Sequence, residues 1–492
     1  MLNDIKNLEG QKTSGNLQEK LTYFKKLFEN DAVFRYRELN CNGFTCAVLF
    51  MDGMINYELL SESIIRPLLL CDINKERVDE FLYKSVIFAG EIKKTDLVID
   101  IVRGLLFGDT IILLDGDCLV INTKGFRTRG IQEPEDERIL QGPREGFDET
   151  AMLNLAMLRR KLPTPDLNIE YMNIGRRTDT KIYICYLNSL VKQNVLKSLK
   201  KRLKEIDIDG VLDSNYINEL TKENRYSFFK SAGSTERPDI VAARLLEGRV
   251  AVFVDGSPVC MTIPYLFVEN FQSDEDYYLN FLVANIGRIL RYTCFFLSIC
   301  IPPLYLAIVN FFPALLPTSF IISISSARAA IPFPAFFECI ILTFIFEILK
   351  EAGIRMPQSL GHALSIVGGL VVGQAAVDAK IVSAPMLIVV ALSGISGLMI
   401  PRLKGAVFYF RLIFIILASF LGFFGFFAGV TVMLISIFNM ESFSVDYTHS
   451  LKEFSYSSLK DDYIRAPWWK MKTRPDSLTK NITRMVKRKC KK

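Results

Sequence analysis

The chain has 492 residues, room for about three domains at roughly 150 residues each. Its 59 Lys and Arg against 53 Asp and Glu give a formal charge of only +6, yet positions 292–439 hold just 11 charged residues in 148 while the other 344 hold 101. Soluble domains run near 25% charged throughout, so a simple soluble enzyme, a disordered chain and a disulfide scaffold are all excluded.

Residues 1–40 read as a polar leader and one amphipathic helix, with Leu17, Leu21, Phe24, Leu27 and Phe28 at helical spacing. Met1–Asn16 lacks an apolar run before a small-residue cleavage site, so the first part of the chain is expected to stay cytoplasmic. From Cys41 the pattern alternates. Apolar runs at Thr45–Met51, Thr110–Leu114, Ile182–Leu187 and Val250–Val254 predict strands, and the stretches Tyr57–Leu70, Val191–Ile206 and Asn215–Lys222 predict helices. An α/β soluble region results.

Leu105-Leu106-Phe107-Gly108 is followed seven residues after its Gly by Asp115-Gly116; Leu245-Leu246-Glu247-Gly248 is followed at the same interval by Asp255-Gly256. Each copy reads helix end, Gly stop, strand, tight Asp-Gly turn, strand. The duplication predicts two related subdomains, 41–162 and 163–290, joined at Pro163-Thr164-Pro165; a chance match of a common arrangement is the competing explanation. Ser273–Asp276 reads as an acidic helix start running through Arg291 into the apolar part.

Residues 291–440 predict a polytopic α-helical membrane domain. A crossing needs about 20 mostly apolar residues, and Tyr292–Phe312, Phe333–Leu349, Leu360–Val377 and Ile381–Ile400 are candidates. Leu412–Asn439 is either one tilted helix or a broken pair, and Pro313–Pro332 reads as an interfacial or re-entrant segment. Arg288 and Arg291, Lys350 and Arg355, and Arg402, Lys404 and Arg411 place alternate loops in the cytoplasm, as does a tail over 441–492 that carries 11 Lys and Arg against one acid from Arg465 onward. Four to six crossings follow, an even number. Gly361, Ser365, Gly369 and Gly373 form a smooth stripe suited to close helix contact, within the chain or between copies.

Bond-making chemistry finds little support. Only two histidines exist, His362 and His449, and no metalloprotease, nucleotide or hydrolase motif occurs. Ten scattered cysteines form no CxxC pair and fit inert thiols in a reducing compartment. The chain is therefore expected to be no enzyme and to carry no cofactor or metal, and nucleic acid is not an expected partner. Ionisable groups at membrane depth are the better lead, because each is expensive in hydrocarbon. Glu338 and Gln374 are candidates for an ion path, with bonding to a neighbouring helix the alternative for Glu338; Glu347 suits a pair with Lys350. In the tail, Trp468, Trp469, Lys470, Lys472 and Arg474 suit contact with anionic lipid or with a partner. The cluster Gly142-Pro143-Arg144-Glu145-Gly146-Phe147 precedes a helix; its Arg144 and Glu145 suit either a ligand or a mutual pair.

That cluster (GPREGF), followed by Asn154–Arg160 (NLAMLRR), resembles the A subunit of the GerA-type spore germinant receptors. So do Ile366–Val377 (IVGGLVVGQAAV) and Ala466–Pro475 (APWWKMKTRP), and the likeness runs from about Cys41 to Pro475. The resemblance implies a multi-pass protein of the spore inner membrane, acting in signal transduction during germination. It further implies a transporter-like B subunit and a lipoprotein C subunit as partners, and an oligomer that forms a ligand-gated ion channel. A scaffold that couples a nutrient-binding subunit to a separate channel, and a small-molecule transporter, are the alternatives.

Overall fold

The structure, a computed structural model, describes residues 8–41 (9 and 14 aside), 44–71, 82–125, 134, 137, 141–355, 373–448 and 460–484. Among the described residues, strand-forming runs assemble into two five-stranded sheets and one two-stranded ladder, Glu441–Ser442 with Val445–Asp446. The first joins β1 (Phe34–Cys41), β2 (Phe44–Met51), β3 (Ile92–Thr95), β4 (Thr110–Leu113) and β5 (Cys118–Ile121) in the order β1-β2-β4-β5-β3. The second joins β6 (Leu167–Ile174), β7 (Thr180–Leu187), β8 (Gly233–Thr235), β9 (Val250–Val254) and β10 (Cys260–Ile263) in the order β6-β7-β9-β10-β8. The topology is the same, and every pairing is antiparallel.

The helices repeat as well. Helix α1 (Leu17–Leu27) precedes β1; α2 (Arg66–Leu70), entered through a π-helical segment Leu59–Ile65, follows β2; α3 (Val98–Leu106) leads into β4. In the second unit α4 (Ala151–Lys161) precedes β6, α5 (Gln193–Lys204) and α6 (Ser214–Leu220) follow β7, and α7 (Pro238–Leu246) leads into β9. Gly108 and Gly248, at φ +87° and +94°, stop α3 and α7, and a Cβ at Gly108 would lie 2.8 Å from the Met54 carbonyl oxygen. The Asp-Gly turns do more than turn. Asp115 Oδ1 accepts from the Leu17 N–H at 3.0 Å, and Asp255 Oδ1 from the Ala151 N–H at 3.1 Å, so each caps the first helix of its own unit from about a hundred residues away. The folded repeat thus starts at α1 and α4, ahead of the join expected at Pro163–Pro165.

Alternation along the strands sends Ala47, Leu49 and Leu113 of one sheet, and Tyr183, Cys185 and Phe253 of the other, into one core that also holds apolar faces of α1, α3, α4 and α7. Opposite faces pack on α2 and its π-helical lead-in, and on α5 and α6. The units are pinned by Arg159, whose guanidinium pairs with Asp31 and donates to the Thr164 carbonyl at 3.1 Å, both side chains being almost fully buried. Arg159→Ala would leave a buried carboxylate unpaired and is expected to cost about 3–5 kcal/mol, read as a lowered unfolding midpoint; a loss below about 1 kcal/mol would show the pair to be dispensable.

Helix α8 (Phe281–Phe311) opens the apolar part, capped by Asn280, whose side chain accepts from the Leu282 N–H at 3.0 Å. The acids Asp274 and Asp276 sit in a separate 3₁₀ turn, so they do not begin this helix as their first-turn pattern suggested. Within the segment expected to be interfacial or re-entrant lies α9 (Thr318–Arg328), an 11-residue helix with no buried side chain. There follow α10 (Ala335–Arg355), a helical stretch at 373–378, α11 (Ala384–Leu398) and α12 (Lys404–Phe438). Most of the predicted crossing Leu360–Val377 lies outside the described residues, as do Gly361, Ser365, Gly369 and both histidines; Gly373 is buried, and a Cβ there would lie 3.3 Å from Leu387.

Residues 404–438 resolve the choice between one tilted helix and a broken pair. Gly422 has φ +60° and ψ −138°, a conformation essentially confined to glycine, and the chain reverses there. Position 429 packs on Phe414, and the Phe414 and Phe426 rings lie 6.0 Å apart, although 414 and 429 would be about 22 Å apart in an unbroken helix. α12 is a helical hairpin. Both of its ends return to the soluble region: Arg402 donates to the Glu269 carbonyl at 3.0 Å, and the Tyr447 carbonyl accepts from the Phe267 N–H at 2.9 Å.

Candidate functional site

The segment Leu266–Tyr277, between the second sheet and α8, gathers the charged residues that the apolar part places at its foot. Glu269 is its centre. One carboxylate oxygen accepts from Arg249 at 2.6 Å and from the Leu266 N–H at 2.7 Å, and the other lies 3.1 Å from Arg244. Arg249 and Arg244 also reach Glu247, at 3.3 and 3.5 Å, and Glu247 meets Arg484 of the tail at 3.3 Å. Burial alone would raise the Glu247 carboxyl, but Arg249, Arg244 and Arg484 hold it below the ordinary glutamate range.

Around this centre the helices attach. Arg402, just before α12, donates to the Glu269 and Gln272 carbonyls at 3.0 and 3.2 Å and pairs with Asp274 at 2.9 Å. On α8, Arg288 pairs with Asp276 and with Asp461 of the tail, each at 3.2 Å; Arg291 pairs with Asp276 and donates to the Phe271 carbonyl at 2.8 Å. Aromatic rings back the polar layer: Phe271 stacks on Tyr292 at 4.2 Å and Phe229 on Phe410 at 5.7 Å. Soluble sheet, first apolar helix, terminal hairpin and tail therefore share one ion-paired core. Sequence reasoning had the acids as a helix start and the arginines as orientation signals; their mutual pairing had no local signature.

A second polar cluster lies within the helices. Glu338 on α10 is fully buried, accepts from the backbone N–H and hydroxyl of Ser383 at 3.0 and 2.8 Å, and so caps the start of α11. Its other oxygen is 3.6 Å from Arg328 Nε at the end of α9, and neither that oxygen nor the buried Tyr305 hydroxyl has a hydrogen bond among the described residues. Gln374 is exposed, and among the described residues no hydrogen bond joins it to Glu338. Deeper, Arg411 donates to the Ser298 carbonyl at 2.9 Å and hydroxyl at 2.8 Å, and Ser393 donates to the same carbonyl at 2.7 Å. Glu347 meets Lys350 at 3.3 Å, as their spacing suggested.

The motif residues have structural partners. Glu145 pairs with Arg160 and, at 2.9 Å, with Lys161; Phe147 meets Phe253 edge to face at 5.1 Å; the Pro143 carbonyl accepts from Arg237 at 3.2 Å. Gly142 has φ +130°, and Gly146 brings Phe147 N–H to the Glu236 carbonyl at 2.7 Å. In the tail, Arg474 donates to the Leu246 carbonyl at 2.6 Å and to the Asn481 carbonyl at 3.2 Å, so it docks on its own chain and is not free for lipid. Trp468, Trp469, Lys470 and Lys472 remain exposed, with Trp469 5.9 Å from Phe281 at the start of α8. Among the described residues no group of His, Cys, Asp and Glu is arranged to hold a metal ion. Two helical segments, Phe281–Phe311 and Pro401–Phe438, are long and apolar enough to cross a membrane, the second being the hairpin.

Comparison with known proteins bears on these features. The model of the Bacillus/Clostridium GerA spore germination protein family matches residues 22–477. Spore germination protein KA of Bacillus subtilis (strain 168) is 39% identical over 440 residues, covering 88% of this chain and 81% of its own. An uncharacterized membrane protein of the same organism, YfkQ, is 35% identical over 486 residues, 98% and 94% of the two chains, and spore germination protein A1 is 32% identical over 451 residues, 90% and 92%. Among solved structures, the N-terminal domain of the A subunit of the Bacillus megaterium spore germinant receptor GerK3 is 30% identical, covers 52% of this chain and 98% of its own, and has a TM-score of 0.42.

Proposed function

Because the chain belongs to the GerA family of spore germination proteins, we propose that it is the A-type, multi-pass membrane subunit of a germinant receptor and assembles as an oligomer around a ligand-gated ion path. The observation that carries this reading is the buried Glu338–Arg328–Ser383 cluster, which places a carboxylate with an unused oxygen among apolar helices. Helix α9 supports self-association. It leaves Phe320 and Ile322 uncovered and aligns Ser319, Ser323 and Ser326 on one face, a surface that a neighbouring copy and a hydrated path would use.

The hairpin in α12 supports six crossings: α8, α10, the segment 360–377, α11 and the two arms of α12. Arg288, Arg402 and the tail then lie on the same side as the soluble region, the cytoplasmic side of a spore inner membrane. The role is non-enzymatic. B-type and C-type subunits are the expected partners, with membrane lipid around the helices and at Trp468 and Trp469. A scaffold that passes a signal to a separate channel is favoured by one observation, the ion-paired junction that ties the soluble sheet to α8 and α12.

Ion flux separates the two. In vesicles reconstituted with the purified chain, Glu338→Ala is expected to change conductance or cation selectivity at least about threefold. Unchanged conductance and selectivity would remove Glu338 from the path, and no flux from the wild type, with or without its partner subunits, would favour the scaffold.

A further inference from the structure

Beside the ion-paired junction, on the edge formed by β8 and the start of α7, lies a cavity of about 690 Å³. Its wall is contributed by Lys230, Arg237 and Tyr265 of the soluble region, and Met399, Pro401 and Arg402 of the α11–α12 turn close it from the helical side. This volume is within the ordinary range for small-molecule sites.

Acids line it too, Glu137, Glu236, Glu269 and Asp274, and most of its cations are paired. Arg244 has Glu269, Arg291 has Asp276 and Arg402 has Asp274. Arg237, fully buried, uses Nε and Nη2 on Asp239 at 3.1 and 2.6 Å, but its buried Nη1 has no hydrogen-bond partner among the described residues. Lys230 is half-buried and has neither ion pair nor hydrogen bond among them. A buried donor left without a partner is costly, and native structures rarely leave one without a reason. Burial and the neighbouring Arg402 lower the Lys230 pKa while the nearby Glu137 raises it, and the net shift is downward, so Glu137 does not fully serve it as an anion. Burial also pushes Glu137 above the ordinary glutamate range, which reduces its repulsion of one.

We propose that this cavity binds a phosphate-bearing small ligand, its oxyanion held by Arg237 Nη1 and Lys230. Phosphate suits two cationic donors lining one cavity, and each such charge-assisted bond is roughly twice as strong as a neutral one. The ligand would bridge the second sheet and the α11–α12 turn, so its occupancy would tighten the joint between soluble and helical parts. The shared chemistry has two sources, a soluble phosphate compound or the headgroup of a lipid at the membrane face.

The test is calorimetric titration of inorganic phosphate into the full chain in maltoside detergent, at ionic strength held constant with chloride. Wild type is expected to bind saturably, Lys230→Gln to bind at least about tenfold more weakly, and Lys230→Arg to stay within about threefold. Melting temperatures without phosphate are expected to be equal in all three, which excludes misfolding as the cause. Repeating the titration in phospholipid nanodiscs distinguishes the sources: loss of phosphate binding there marks a headgroup as the occupant, and retention marks a soluble ligand. Absence of saturable binding up to about 10 mM phosphate, or equal affinity in Lys230→Gln and wild type, overturns the proposal.

Discussion

Glu269→Ala is expected to lower the unfolding free energy by about 3–5 kcal/mol, among the largest losses available to one substitution in this chain. The carboxylate is buried, and it is the shared acceptor for Arg249 at 2.6 Å, for Arg244 at 3.1 Å and for the Leu266 N–H at 2.7 Å. Removing it leaves two guanidiniums with Glu247 alone for compensation, and Glu247 is already shared with Arg484. Arg402 would keep its acceptor, because it uses the Glu269 backbone carbonyl. The loss should therefore fall on the joint and leave membrane extraction of the chain unchanged. Thermal unfolding in detergent, followed by circular dichroism, reads the effect; a loss under about 1 kcal/mol would show that the junction does not depend on this pair.

Gly425→Val is expected to cost about 3 kcal/mol or more by forcing the α12 hairpin apart. Gly425 lies just beyond the reversal at Gly422, and a Cβ there would overlap the Leu417 carbonyl oxygen, which is backbone and cannot swing away. The next glycine along the face, Gly429, would place its Cβ 2.8 Å from the Phe414 ring, so the two arms meet on a strip that admits no side chain. Gly405, whose Cβ would meet nothing within 4 Å, supplies the control: Gly405→Val should be nearly silent apart from a small helix-propensity cost. Equal melting temperatures for the two variants would contradict the hairpin.

Local patterns carried much of this architecture. Short apolar runs located β2, β4, β7 and β9, and the helix–Gly–strand repeat pointed to a duplication that the matching strand orders display. Gly425 and Gly429, four residues apart like the members of the Gly361–Gly373 stripe, meet the other arm of the same hairpin. Residues whose partners are distant in sequence were illegible for that reason. Nothing near Asp115 or Asp255 says that each caps a helix about a hundred positions earlier. Asp276 looked like a helix-dipole acid because the arginines it serves lie 12 and 15 residues on, and the Asp461 that completes the set lies in the tail. From composition the basic tail suited anionic lipid or a partner; that Arg474 and Arg484 are committed to Leu246 and Glu247 of the soluble region had no local signature.

A membrane oligomer with a path at its axis needs a closed ring of copies. The mass of the purified chain, measured by native mass spectrometry in detergent and again in nanodiscs, tests it most directly. A single species of three or more copies is the expected result, and a monomer in both environments would contradict the account.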